Sequence, residues 1–172
     1  MNTTHQIHPI KPLYGPQSEI LILGSFPSVK SREVAFFYGH PHNRFWRVLA
    51  GVYDTSVPVT VEEKREFVLS HRLALWDVIA SCDIAGSSDS SIKNVVPNDL
   101  TLILKNSHIK KIFVNGKTAF NLYNKYILPV INIKAIYLPS TSPANAAFSL
   151  ERLIEVWRSE ILRADDKGLS AD

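Results

Sequence analysis

Glu19-Ile20-Leu21-Ile22-Leu23-Gly24 is the stretch on which the fold turns. Aliphatic side chains fill consecutive positions with no polar residue alternating between them, and a glycine closes the run. A strand with one wet face would alternate. This one reads as a strand buried on both faces, the habit of a parallel sheet covered by helices. Leu73 to Ile79 (LALWDVI) repeats the pattern. Lys110 to Val114 supplies a third strand, ended by Asn115-Gly116, and Ile131 to Leu138 a fourth, stopped by Pro139.

Between these runs the apolar period changes. Asn43 to Val52 places Phe45, Val48, Leu49 and Val52 on one helical face. Thr60 with Glu63 forms a capping-box signature for a helix through about His71. Asn98 to Asn106 is a short helix with Leu100, Ile103 and Leu104 inward, and Lys117 to Ile127 another with Phe120, Tyr123 and Ile127 on one side. A last helix begins near Ala144 and buries Leu150, Leu153, Ile154, Trp157 and Ile161. Asp83 to Pro97 lacks a period and is rich in Ser, Gly and Asp, so it reads as a long loop. Strands alternating with helices predict a three-layer α/β/α fold with a central four-stranded parallel sheet, one domain over 1–172, and frayed ends at 1–12 and 165–172.

Composition narrows the function classes. The chain has 172 residues, 45% apolar and 20% charged, which suits one globular core. No apolar run approaches the ~20 residues a membrane span requires. Met1 to Pro12 is polar and lacks a signal-peptide core, so a cytoplasmic location and a monomer are the expectations. Cys82 is the single cysteine, which excludes an internal disulfide framework, a thiolate zinc site and an iron–sulfur cluster. Six histidines invite a metal search, but His40 and His42 share a loop without a carboxylate or cysteine at ligand spacing, and no metal is expected. Neither a Walker-type loop nor G-x-G-x-x-G is present, so no nucleotide cofactor is expected. Nor is there a nucleophile elbow. A net charge of +3, from 19 Lys+Arg against 16 Asp+Glu, permits nucleic-acid binding without requiring it.

In a parallel α/β sheet, ligands bind beyond the carboxyl ends of the strands. The unusual polar clusters stand there: Gly24 to Ser28, Asp77 to Asp83, Asn115 to Lys117 and Ser140 to Asn145. In the first, Ser25 and Ser28 offer hydroxyls and N–H groups near a helix start, as a phosphate or a plain turn would use them. Phe36-Phe37-Tyr38 cannot all face one core, so one of the three is free to stack on a base. Asn43 suits a helix cap as well as it suits a catalytic amide. Asp77 sits inside an apolar strand and needs partners, either local backbone groups or a ligand. Pro139-Ser140-Thr141-Ser142-Pro143-Ala144-Asn145-Ala146 suits an anion at a helix N-terminus, or ordinary capping by Ser142.

Taken together, these segments resemble the uracil-DNA glycosylase superfamily, and most closely its hypoxanthine-DNA (deoxyinosine) branch. Gly24-Ser25-Phe26-Pro27-Ser28 followed by Phe37-Tyr38-Gly39-His40-Pro41-His42-Asn43-Arg44-Phe45-Trp46 resembles the first motif region. Ser140 to Ala146 resembles the second motif, and Leu75 to Ile79 and Val114 to Lys117 fit between, in order. The resemblance implies a cofactor-free enzyme that extrudes a deaminated base from DNA and hydrolyses its N-glycosidic bond. It implies Asn43 as catalytic residue, Phe26, Tyr38, Asp77 and Asn115 as base contacts, and Ser25, Ser28, Ser140, Ser142 and Asn145 as contacts to the DNA backbone. Two departures stand out. Ser25 and Phe26 occupy positions where many relatives carry a water-activating acid or amide, and Ser140 stands where strong uracil removers have histidine. Both match the hypoxanthine branch. The missing acid also motivates the alternative of a module that senses damaged DNA without cutting it. A third reading, a hydrolase of free nucleosides, would not need the basic surface around Lys105, His108, Lys110 and Lys111.

Overall fold

The computed structural model describes residues 2–169, with side chains through residue 163. Its strands are β1 (Thr4–Ile7), β2 (Ile20–Gly24), β3 (Leu73–Asp77), β4 (Ile79–Ile84), β5 (Lys93–Pro97), β6 (Lys111–Asn115) and β7 (Ala135–Leu138). Its helices are α1 (Val29–Val34), α2 (Phe45–Val52), α3 (Val61–Ser70), α4 (Thr101–Lys105), α5 (Lys117–Leu122), α6 (Leu128–Ile131) and α7 (Leu150–Leu169). The expected parallel sheet is present, in the spatial order β3-β2-β6-β7.

β2 is central, and Leu21, Ile22 and Leu23 are fully buried. Because side chains alternate across a strand, Ile20 and Ile22 meet one helical layer and Leu21 and Leu23 the other. The first layer holds Phe45, Val48 and Leu49 of α2, Val68 of α3, and Leu153, Trp157 and Ile161 of α7. The second holds Leu100 and Ile103 beside α4, Ala119 of α5, and Tyr123 and Ile127 of the π-helical turn that follows α5. The α/β/α layering follows from this split. α2 meets α7 at Gly51, where a Cβ would stand 2.5 Å from the Ile154 side chain. A glycine weakens a helix interior by about 1 kcal/mol relative to alanine, and here it admits the neighbouring helix.

Five expectations are corrected. The second strand does not run to Ile79: it ends at Asp77, and Val78 turns the chain out of the sheet. The freed backbone groups are bonded there, Val78 N–H to Gly24 O, and Asn98 Nδ2 to the carbonyls of Asp77 and Ile79. Second, Asp83 to Pro97 is not one long loop, because β4 and β5 lie within and beside it, joined by a 3-10 turn at Asp89–Ser91. Third, the expected frayed end at 1–12 is ordered over its described residues 2–12: β1 pairs antiparallel with β4, making a second sheet in the order β1-β4-β5. Both outer strands are largely exposed, so they lack the apolar signature that marks a buried strand. Fourth, the fourth strand begins at Ala135, since Asn132 takes a left-handed conformation (φ 55°) that ends α6. Fifth, the last helix begins at Leu150, not near Ala144; Ser149 Oγ accepts from Arg152 N–H at its start. At the other end α7 reaches Leu169, and residues 170–172 of the expected frayed end lie outside the described residues.

Candidate active site

A cavity of about 490 Å³ opens at the carboxyl ends of the parallel strands. β2 and β6 are neighbours in space although β3 intervenes in sequence, which makes this the switch point where such sheets bind ligands. Each strand end supplies a wall: Gly24 from β2, Asp77 from β3, Asn115 from β6, and Ser140 just beyond β7. Gly24 is required by contact. A Cβ there would lie 2.5 Å from Asp77 Oδ1 and 3.2 Å from the Tyr38 hydroxyl.

Asp77 is the floor. Its Oδ2 lies 2.7 Å from His8 Nε2, and the side chains are 7% and 3% exposed, respectively. His8 Nδ1 accepts from the Ile10 N–H at 3.1 Å, so it carries a lone pair and the ring proton sits on Nε2. His8 therefore donates to Asp77. Its ring packs edge-on against Phe26 and Trp76, with centroids 5.8 and 6.1 Å away. Asp77 Oδ1 stays at the cavity wall beside Gly24 and the Tyr38 hydroxyl, and among the described residues it accepts no hydrogen bond.

A hydrogen-bonded chain crosses the opposite wall. Asn43 Oδ1 accepts from the Phe45 N–H at 3.0 Å and from Thr141 Oγ1 at 2.8 Å. The backbone amide is a donor only, which fixes the orientation of the Asn43 side chain and leaves Nδ2 as its remaining polar group. Asn115 Nδ2 donates to Thr141 Oγ1 (3.0 Å) and to the Tyr38 hydroxyl (3.3 Å), while its Oδ1 accepts from Thr141 N–H (3.1 Å). Thr141 is fully buried at the centre of this chain. Thr141→Val keeps the shape and removes the hydroxyl. It is expected to cost about 1–3 kcal/mol, because Asn43 and Asn115 each lose a buried partner. Thermal melting checks this, at roughly 2–4 °C per kcal/mol for a chain of this size.

Of the three consecutive aromatics, Phe36 and Phe37 are 4% and 3% exposed, and Phe36 stacks on Trp46. Tyr38 is half-buried, lines the cavity and lies on Phe45 with centroids 3.7 Å apart and planes 13° off parallel. Its φ of 52° is a left-handed value uncommon for an aromatic residue, of the kind that gathers at functional sites. Burial first, and the Asp77 charge second, hold the phenol far above its usual range despite the Asn115 hydrogen bond, so it stays protonated.

Arg44 is a clamp. Its guanidinium donates to the carbonyls of Phe148 (2.5 Å), Ser142 (2.9 Å) and Asn145 (3.0 Å), tying the Ser140–Ser149 segment to α2. Within that segment Asn145 Nδ2 donates to Ser140 O, and the hydroxyls of Ser140 and Ser142 accept from nearby backbone amides. Because α7 starts only at Leu150, the expected helix N-terminus does not face this loop. Ser28 caps α1, with Oγ accepting from Ser31 N–H. Ser25 donates to Asp89 Oδ1 at 3.2 Å, and Asp89 lines the cavity.

The family model of the uracil DNA glycosylase superfamily matches residues 12–161. The chain belongs to the uracil DNA glycosylase superfamily. It is similar to a hypoxanthine DNA glycosylase of Methanosarcina acetivorans, 34% identical over 78% of this chain and 85% of the relative. A hypoxanthine DNA glycosylase of Methanosarcina barkeri is 29% identical over the same shares. A solution NMR structure of a candidate uracil DNA glycosylase from Methanosarcina acetivorans superposes with a TM-score of 0.77 at 30% identity, covering 93% of this chain and 99% of that one.

Within this superfamily member the cavity gathers Ser25, Phe26, Ser28, Tyr38, Asn43, Asp77, Asn115, Ser140 and Ser142 from the sequence-based set. Asn145 stands behind the wall, bonded to Ser140. Sequence reasoning missed His8, Thr141 and Asp89. His8 was lost with the N-terminal strand. Thr141 carried a signal in the alternation Ser140-Thr141-Ser142, which turns the middle hydroxyl inward. The basic surface around Lys110 and Lys111 is at the amino end of the sheet, where Lys110 pairs with Glu19 at 3.6 Å, away from the cavity. The exposed Lys117, first residue of α5, stands on the cavity's side. Among the described residues no three His, Cys, Asp or Glu side chains converge as a metal site would require, and no helix is long and apolar enough to cross a membrane.

Proposed function

We propose that this protein is a DNA glycosylase that removes deaminated bases, hypoxanthine first among them, by hydrolysing the N-glycosidic bond to leave an abasic site. The observation that carries the reading is the cavity floor. Deamination turns the N1 acceptor of adenine, or the N3 acceptor of cytosine, into a ring N–H donor. Asp77, bonded on one oxygen by His8, presents an acceptor that suits this new donor and repels the lone pair of the undamaged base. A pocket with an acceptor there reads the deamination itself. The names of the two Methanosarcina relatives support hypoxanthine within that class.

The extruded base enters between the Asp77 floor and the Tyr38–Phe45 stack, its unstacking cost being a few kcal/mol and least where pairing is already poor. Asn43 acts as a donor. With Oδ1 occupied by Phe45 N–H and Thr141, Nδ2 offers N–H to charge building on the departing purine. Asn115 and Thr141 hold Asn43 and Tyr38 in register. Backbone phosphates meet the Ser25–Ser28 and Ser140–Ser142 loops at the rim, with Lys117 beside them.

The test is cleavage of labelled duplexes holding one hypoxanthine, uracil or xanthine, with alkali to break abasic sites. Cutting at hypoxanthine ahead of uracil is the expected result. Duplex binding without cutting at any of the three would replace the enzyme with a damage-sensing module.

A further inference from the structure

The cavity holds donors in quantity and few free acceptors. Hydrolysis needs an acceptor for the proton of the attacking water. Asn43 Oδ1 is filled by two donors, and Asn115 Oδ1 is bonded to Thr141 N–H. The lining carboxylates are Asp77 and Asp89. Asp77 lies in the floor with Oδ2 on His8, where the deaminated ring N–H must dock. Serine hydroxyls are poor bases at neutral pH. His40 also lines the cavity, with Nδ1 taken by the His42 N–H; of the lining carboxylates, Asp89 is the one not engaged with a histidine.

The geometry points to Asp89 as the base that takes the proton from the attacking water. This rests on the glycosylase reading and deepens it. Ser25 Oγ, just beyond the end of β2, donates to Asp89 Oδ1 at 3.2 Å, which holds the carboxylate at the cavity wall. Its delivery is built. Arg32 donates to Pro27 O (2.8 Å) and Gly86 O (3.2 Å), Val29 N–H to Ser87 Oγ (2.9 Å), and Ala85 N–H to Ser91 Oγ (2.8 Å). The bonds from Arg32 to Gly86 O and from Val29 N–H to Ser87 Oγ fasten the serine-rich loop to the 25–32 segment, and the other two brace each side from within. Asp89 keeps an exposed side, yet desolvation by the cavity wall raises its carboxyl above its ordinary range; hydrogen bonds from Ser25 and Thr118 draw it down in part, and the Asp77 charge adds to the rise. A carboxylate so raised is a stronger base at neutral pH.

In the step itself the water oxygen bonds to C1′ as the C1′–N9 bond breaks. The bonding pair leaves on the purine, next to the Asn43 donor. The water proton passes to Asp89, and the purine later takes a proton from solvent. Loss of this proton acceptor is expected to slow the step by about 100-fold or more, the ordinary worth of a positioned base.

The experiment measures single-turnover excision from a hypoxanthine duplex, and binding to the same duplex, for the wild type, Asp89→Asn, Asp89→Ser and Ser25→Ala. Both Asp89 variants should bind as the wild type does and excise about 100-fold more slowly or worse. Ser25→Ala, which only orients the carboxylate, should lose less. Melting temperatures of the Asp89 variants should match the wild type, since the replaced residue is exposed. Wild-type excision rates in both Asp89 variants would overturn the proposal while leaving the glycosylase reading intact, and so would a loss of rate matched by an equal loss of affinity. A wild type that cuts no deaminated base would overturn both.

Discussion

Asn43→Ala is expected to reduce excision by about 10²–10³-fold, the usual cost of removing one donor aimed at developing charge. The same substitution removes the acceptor for Phe45 N–H at the start of α2 and for Thr141 Oγ1, so about 1 kcal/mol of stability should go with it. The two losses separate in Asn43→Asp. A carboxylate there still accepts from Phe45 N–H and Thr141, so the melting temperature should recover. It presents an oxygen where Nδ2 stood, so activity should not. A catalytic donor predicts this split between melting and single-turnover rate. If Asn43 were only a cap, both would return together.

His8→Ala should be the most damaging change outside the hydrophobic layers. It leaves Asp77 buried without its donor on Oδ2, at a cost of about 1–3 kcal/mol for the stranded group, and more if the carboxylate stays charged. The floor should also lose its orientation, so excision should fall with stability. The check is a double-mutant cycle. Asp77→Asn carries no charge to strand, so His8→Ala should cost much less melting temperature in that background than in the wild type. Additive losses would mean that His8 contributes only packing against Phe26 and Trp76. His8→Gln keeps an N–H donor of similar reach and should restore part of both properties.

The buried layers were legible because burial writes itself into sequence. Glu19 to Gly24 and Leu73 to Asp77 have no polar face, and the Phe45–Val52 and Leu150–Ile161 stripes keep helical spacing. The second sheet was not legible for the same reason. Thr4–Ile7 and Lys93–Pro97 expose most of their side chains, so their hydrogen-bonded register leaves little trace in composition. The break at Val78 was hidden too, because the turn is made of residues as apolar as the strands they join: Val78 and Ile79 are fully buried on both sides of it. The π-helical turn at Tyr123–Ile127 likewise hid inside a continuous helical pattern.

The site divided in the same way. Residues at the ends of predicted strands, such as Asp77 and Asn115, were found because the fold class says where to look. Tyr38 emerged from three candidates only when Phe36 and Phe37 proved to be core. Asn43 fitted a cap and a catalytic amide equally well on sequence; the cap position of α2 falls to Arg44, while Asn43, one residue earlier, accepts from Phe45 N–H through Oδ1 and lines the cavity. Asp89 was invisible because nothing local marks it: only the folded chain sets it beside Ser25 at the cavity.

β1 is a short ribbon at the sheet edge, paired to β4 alone and mostly exposed, and such segments open at far lower free energy than the core they border. When it lifts, His8 goes with it, and Asp77 loses its proton donor. On the proposed function, fluctuation of this edge ribbon and discrimination between bases draw on one opening equilibrium. A base docked on Asp77 should then slow solvent exchange of the β1 amides, although it touches none of them.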